Sequence, residues 1–224
     1  MYKILLLILI SIVSSNDLII IGDVRMEEMA NVLFGVEYSH LYYSYYYSYH
    51  DFITTSEPVS YGGFNIQITA VPSKYVDYLS TGNSPEYNSI HTQLKNAKDG
   101  TNVLLNLDIQ NVDNFNNIFN LFGKLADKYS NLNFYAISLI GVDQTMSKIL
   151  NSSVKEFNKK METRITAVEF PNLKYKNILN ENETTQIVVD GKVIDILTYT
   201  TDGLGFFKNG YIKIFNAMVE GLEN

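Results

Sequence analysis

The stretch Leu18-Ile19-Ile20-Ile21-Gly22-Asp23-Val24-Arg25 has the composition of a buried strand that enters a tight turn and then a helix. In an α/β sheet such a turn holds one side chain at the carboxyl ends of the strands, where these folds place a nucleophile. The side chain held there is Val24, which has no atom to attack with. Three other segments carry polar residues or glycines at expected loop positions. They are Tyr61-Gly62-Gly63, Asn106-Leu107-Asp108-Ile109-Gln110-Asn111 and Thr200-Thr201-Asp202-Gly203-Leu204-Gly205. The hydroxyls of Thr200 and Thr201 have no visible base to activate them. His40, His50 and His91 lie away from the expected strand ends and read as surface or packing histidines. The spacing of His, Asp and Glu forms no metal motif.

The elements that must position these residues follow from hydrophobic periodicity. After Gly22 a helix is expected over Met26 to Val36, with Met29, Val32, Leu33 and Val36 on one face. A second strand is expected within Phe52 to Ser60, ending at Tyr61-Gly62-Gly63. Ile66 to Leu79 carries apolar positions but is interrupted by Pro72, and 81–98 reads as a loop and a polar helix. Thr101 to Leu107 is a short, nearly continuous apolar run, the pattern of a strand covered on both faces. Phe115, Ile118, Phe119, Phe122 and Leu125 form a helical stripe. Strands are expected over Leu132 to Leu139 and over Ile165 to Phe170. A helix between them carries Met146, Ile149, Leu150, Val154, Phe157 and Met161. Ile187 to Ile194 reads as a hairpin around Asp190-Gly191, and a last helix runs from about Phe207 to Leu222 with Ile212, Phe215, Met218, Val219 and Leu222 inward. Alternating strands and helices predict a parallel sheet covered on both faces, a three-layer α/β/α sandwich.

Composition narrows the setting. The chain has 224 residues and 46% apolar content, enough for one domain with its own core. It opens with Lys3, an apolar run from Ile4 to Val13 and Ser14-Ser15-Asn16, the layout of a secretory signal peptide. That run is shorter than the roughly 20 apolar residues a membrane-spanning helix needs. Cleavage is expected near Ser15, leaving residues 16–224 as a single exported domain. A signal anchor is the alternative, because Leu18 to Ile21 prolongs the apolar character. There is no cysteine, so stability must come from the core alone. Asn151-Ser152-Ser153 and Asn182-Glu183-Thr184 are N-glycosylation acceptors if the host is eukaryotic. The net charge of −7 and the lack of a Lys/Arg cluster argue against nucleic acid and anionic membranes as partners.

The four segments, in this order on this frame, resemble the SGNH (GDSL-like) hydrolases over nearly the whole mature length. Ile21-Gly22-Asp23-Val24-Arg25 is similar to the first block, with the serine replaced by Val24. Tyr61-Gly62-Gly63 is similar to the second, whose glycine supplies an oxyanion-hole amide; the resemblance puts Gly63 there. Asn106 to Asn111 is similar to the third, with Asp108 in place of a glycine and Gln110 in place of an asparagine. Thr200 to Gly205 is similar to the fourth, keeping Asp202 and replacing the histidine by Gly205. The resemblance implies a flavodoxin-like fold of about five parallel strands in the order 2-1-3-4-5. It also implies a serine that attacks an ester, a histidine that takes its proton and an aspartate that orients the histidine. With Val24 and Gly205 at those positions the chain is expected to be a pseudoenzyme, with no cofactor. The loss of one oxyanion donor alone typically costs about 10²–10³ in rate.

Two further groups stay open. Asp23, Asp108 and Asp202 are expected at one mouth. Each could be satisfied locally, by a turn amide, a helix N-terminus or Arg25, or together with Gln110 and Asn111 they could offer oxygen ligands suited to Ca²⁺. An acidic mouth could instead select neutral or cationic ligands such as sugars or amines, and Asp108 could simply plug the pocket. The tract Tyr38 to Tyr49 holds seven tyrosines, among them Tyr45 and Tyr47. It reads either as an irregular edge packed by its own rings or as a platform for glycans. The expected function is binding of a carbohydrate, an acyl ligand or a partner protein by a secreted, inactive SGNH-like protein. The alternatives are an ester hydrolase with another nucleophile, or a structural coat or matrix protein.

Overall fold

The computed structural model describes residues 16–35, 53–55, 57–70, 85–107, 109–142, 148–167, 170–200 and 206–222. Strands are β1 (Asn16–Gly22), β2 (Ile53–Thr54), β3 (Val59–Tyr61), β4 (Phe64–Ala70), β5 (Asn102–Leu105), β6 (Asn133–Ile137), β7 (Leu173–Lys176), β8 (Gln186–Val189) and β9 (Lys192–Asp195). Helices are α1 (Val24–Phe34), α2 (Pro85–Asn96), α3 (Phe115–Lys128), α4 (Lys148–Ala167) and α5 (Lys208–Val219), with 3₁₀ turns at Ile109–Asn114 and Ile196–Tyr199. The main sheet runs β2-β4-β1-β5-β6-β7, with β3 also on β4. The strands β4, β1, β5, β6 and β7 are mutually parallel, the 2-1-3-4-5 order expected of a flavodoxin-like sheet. β8 and β9 form a separate antiparallel hairpin.

β1 shows why the sheet is covered on both sides. Its side chains alternate, so Leu18 and Ile20 enter one core with Met26, Met29, Ile66, Ile68, Phe215 and Met218. Ile19 and Ile21 enter the other with Ile90, Leu94, Val103, Leu105, Ile118 and Phe122. All four isoleucine and leucine side chains are buried, the signature of a central parallel strand. The first core lies under α1 and α5, the second under α2, α3 and α4. Among the described residues no helix is long and apolar enough to cross a membrane.

Several expectations are corrected. The strand beside β1 is Phe64–Ala70, not Phe52 to Ser60; the latter region supplies only the short antiparallel edge strands β2 and β3. Gly62 and Gly63 both have positive φ and form the two-residue turn between β3 and β4. Ile165 belongs to α4, which continues to Ala167, and the strand follows Pro171 as Leu173–Lys176. Ile165 falls four residues after Met161 on the buried face, so helical periodicity extends through it. On the same helix Ile149 is 82% exposed, one residue off the buried stripe. α1 stops at Phe34 because Gly35 takes a left-handed conformation (φ 62°) and its N–H caps the helix. The hairpin at Asp190-Gly191 is as expected, with positive φ at both residues.

Candidate active site

The carboxyl ends of the parallel strands meet at one mouth. Gly22 ends β1, Asp23 follows, and Val24 is the first residue of α1. Gly22 is needed by close approach. A Cβ there would overlap Met26 Cγ and stand 2.7 Å from the Asn106 carbonyl oxygen. Asn106 follows β5 and donates its N–H to the Ile21 carbonyl at 2.9 Å, which keeps the third segment against the end of β1. Asp23, Asn106 and Leu107 are buried. The third segment therefore meets the end of β1, while Asp108 and Asp202, expected at one mouth with Asp23, lie outside the described residues.

Gly63 does not join them. It precedes Phe64, and Phe64 is paired with Asn16, at the amino end of β1, while Ala70 is paired with Gly22. Six residue steps separate those pairs, about 20 Å at strand rise. Gly63 therefore lies at the far end of the sheet and cannot offer an amide to the mouth. The segment that leaves β4 at the mouth is 71–84, and its glycine is Gly82. Gln110 lies in the 3₁₀ turn that follows the third segment. Asp108, Asp202, Gly205, Tyr45 and Tyr47 lie outside the described residues. Among the described residues no group of three His, Asp or Glu side chains is close enough to hold a metal ion.

The tyrosine tract has described flanks. Phe34 touches Tyr61 at a ring separation of 5.3 Å, and Tyr61 is paired with Phe64 at the amino end of the sheet. Ile53 is paired with Ala70 at the mouth.

Arg25, expected only as a possible local partner for an aspartate, is the polar centre of the described mouth. It is only 6% exposed, and its guanidinium donates to the carbonyls of Ile140 (2.9 Å) and Gly141 (3.4 Å). The Phe206 ring lies 5.3 Å from its Cζ. Arg25 therefore bridges α1 to the segment after β6 and to Phe206, two residues before α5. That segment is pinned from the other side by α4. Asn158 exchanges two hydrogen bonds with the backbone of Leu139, and Asn151 does the same with Val142. The sequence signal for these asparagines is their phase: 151 and 158 share the helical face of Val154, Met161 and Ile165.

Burial shifts several other side chains. Burial, and then the neighbouring Lys128, push His91 down to about 4. Burial and then Glu162 push the Tyr175 hydroxyl above its ordinary value. Tyr211 is raised by burial and by its hydrogen bond to Glu28. These groups tie helices to the sheet and to one another, and none of them lies at the end of β1.

No family model matches the sequence, and no curated protein is similar to it. Solved structures share its fold. A candidate platelet activating factor from Streptococcus pneumonia is 16% identical, with 95% of this chain and 84% of that one covered at a TM-score of 0.51. A catalytic variant of an acetylxylan esterase from Geobacillus stearothermophilus is 8% identical, with 92% and 93% covered and a TM-score of 0.51. A variant acetyl-xylooligosaccharide esterase of the same genus is 9% identical, with 94% and 95% covered and a TM-score of 0.54. At such identities the likeness is one of fold: this chain shares the α/β/α sandwich of these proteins.

Proposed function

We propose that this chain is an exported, catalytically inactive SGNH-like protein that binds a carbohydrate. The observation that carries the reading is Val24, which opens α1 directly at the end of β1, where an SGNH-type hydrolase has its serine. An alkyl side chain there cannot form an acyl-enzyme. Gly205, at the family's histidine position, removes the general base as well. The described rim of the mouth is buried and knitted together by Arg25, so this end of the fold is held as structure. Carbohydrate is the favoured ligand class because folds of this kind include acetylxylan and acetyl-xylooligosaccharide esterases, whose substrates are decorated sugars. Export rests on the leader-like residues 1–15.

The test is hydrolysis of p-nitrophenyl acetate and acetylated xylan by the purified chain, run beside labelling with a serine-directed fluorophosphonate. The expected result is release no faster than the blank and no labelled residue. Turnover well above the blank, or stoichiometric labelling of one residue, returns the chain to the working ester hydrolases.

A further inference from the structure

A cavity of about 940 Å³ lies between the start of α3 and the outer face of α4. We propose that this groove is the carbohydrate site, taking a neutral oligosaccharide along α4; the inference rests on the carbohydrate-binding reading above and places the ligand between these two helices.

Its lining has the chemistry that recognises hydroxylated rings. On one wall stand Asp113, Asn114 and Asn116, and on the other Glu156 and Arg164. Each is a planar carboxylate, amide or guanidinium, able to meet two neighbouring hydroxyls at once. Thr163 adds a hydroxyl on the same helix. Between the walls the half-buried Phe115 ring is set edge-on to Phe157 at 5.5 Å and stacks along Phe119 at 6.1 Å. Such rings present apolar surface to the C–H face of a sugar.

The charges of the lining nearly cancel, three cations against two carboxylates, so no strong field selects an ion. Lys159, Lys160 and Arg164 share the lining with Asp113 and Glu156, and Lys160 is already held at 2.6 Å by Glu156, four residues earlier on α4. Arg164 lies with its Cζ 5.0 Å from the Phe119 ring, which orients its fork before any ligand arrives. The volume is near the upper end of the roughly 300–1,000 Å³ typical of ligand sites, room for more than one sugar ring.

The experiment is calorimetric titration of the purified chain with hexasaccharides of β-1,4-linked xylose, glucose, mannose and N-acetylglucosamine. At least one should bind, and Asn116→Ala/Arg164→Ala should weaken it tenfold or more. Thr163→Trp, which fills the groove from an exposed helical position, should abolish it while leaving the melting temperature unchanged. If the wild type binds a hexasaccharide and both variants bind it equally well, the groove is overturned and the carbohydrate reading stands. If the wild type binds none of the four, the carbohydrate reading itself fails.

Discussion

Asn151 holds Val142 by both ends of its side-chain amide. The Val142 N–H donates to Oδ1 at 2.9 Å, and Nδ2 donates to the Val142 carbonyl at 2.7 Å. Two helical turns later Asn158 grips Leu139 the same way, at 2.8 and 2.9 Å. The chain after β6 has left the sheet ladder, so its backbone groups need other partners, and α4 supplies them. Replacing Asn158 by Ala strips a buried N–H and a buried carbonyl of their partners at once. A loss of about 3 kcal/mol is expected, at roughly 1–3 kcal/mol per unsatisfied buried group. Urea denaturation of Asn158→Ala against wild type measures it, and a loss under about 0.5 kcal/mol would show that water replaces the clamp.

The same clamp separates the two glycosylation motifs. Asn151 is 6% exposed and its Nδ2 is engaged, so a glycan there is incompatible with the folded chain. Asn182 is exposed in a turn, at φ 62°. Expression through a eukaryotic secretory pathway should yield folded protein carrying one N-glycan, removed by Asn182→Gln and kept in Asn151→Gln. A glycan recovered on Asn151 in folded protein would contradict the buried placement of that side chain.

His91 sets an acid limit. Its Nδ1 lies 2.5 Å from the Tyr129 hydroxyl, while Nε2 is buried without a hydrogen-bonding partner among the described residues. Lys128 lies over the Tyr87 and Tyr129 rings beside it. A second proton would therefore place a charge where nothing accepts it and a cation stands near, which is why burial and then Lys128 lower its value from 6.5 to about 4. The sign follows from linkage. Between those values the unfolded chain binds a proton that the native chain refuses. This contribution to stability is complete above pH 6.5 and is lost as pH falls to about 4. Denaturation midpoints measured across that window should fall with pH for wild type and fall less steeply for His91→Gln. Parallel profiles would assign the acid sensitivity to other groups.

How much of this was legible follows from particular residues. β1 and β5 are readable because a strand buried on both faces must be apolar at every position, as Ile19, Ile20, Val103 and Leu104 are. The α3 stripe from Ile118 to Leu125 is equally direct. The Gly62-Gly63 pair carries two meanings in sequence, a loop glycine at an oxyanion site and a hairpin turn with positive φ at both residues. Tyr61 and Phe64 face each other across it, so the hairpin meaning holds. Pattern alone does not choose, because which strand lies beside β1 is fixed by long-range pairing. Arg25 was invisible for a related reason. Its partners are carbonyls at Ile140 and Gly141, more than a hundred residues away, and a carbonyl leaves no mark in the sequence.

That bridge gives a prediction at the mouth. Arg25→Met keeps the length of the side chain but leaves the Ile140 carbonyl without its donor and removes the cation beside Phe206. The expected loss is about 2–4 kcal/mol, the usual range when one side of a buried, charge-assisted contact is deleted. Arg25→Lys should recover only part of it, because an ammonium is a compact charge without a planar fork that spans neighbouring carbonyls. Thermal melts of the three proteins read the order directly, and a Lys variant as stable as wild type would show that charge alone matters.

Gly22 offers the sharpest test of the turn itself. Its backbone is not left-handed, so alanine is forbidden by space and not by φ. The added methyl would meet Met26, buried on the inner face of α1, and the Asn106 carbonyl, which is backbone and held by the bond from its own N–H to Ile21. A flexible thioether can shift, but a paired backbone cannot, so Gly22→Ala should lose about 3 kcal/mol or more, at or above the usual range for overpacking. Trimming Met26 to Ala in the same chain removes the clash with Cγ and keeps those with Cβ of residue 26 and with the Asn106 carbonyl. The double variant should therefore be more stable than the sum of the two single losses, yet still below Met26→Ala alone. A double-mutant cycle in urea measures the coupling. If the effects are simply additive, Gly22 and Met26 do not share the space assigned to them, and the close packing of α1 on the end of β1 is wrong.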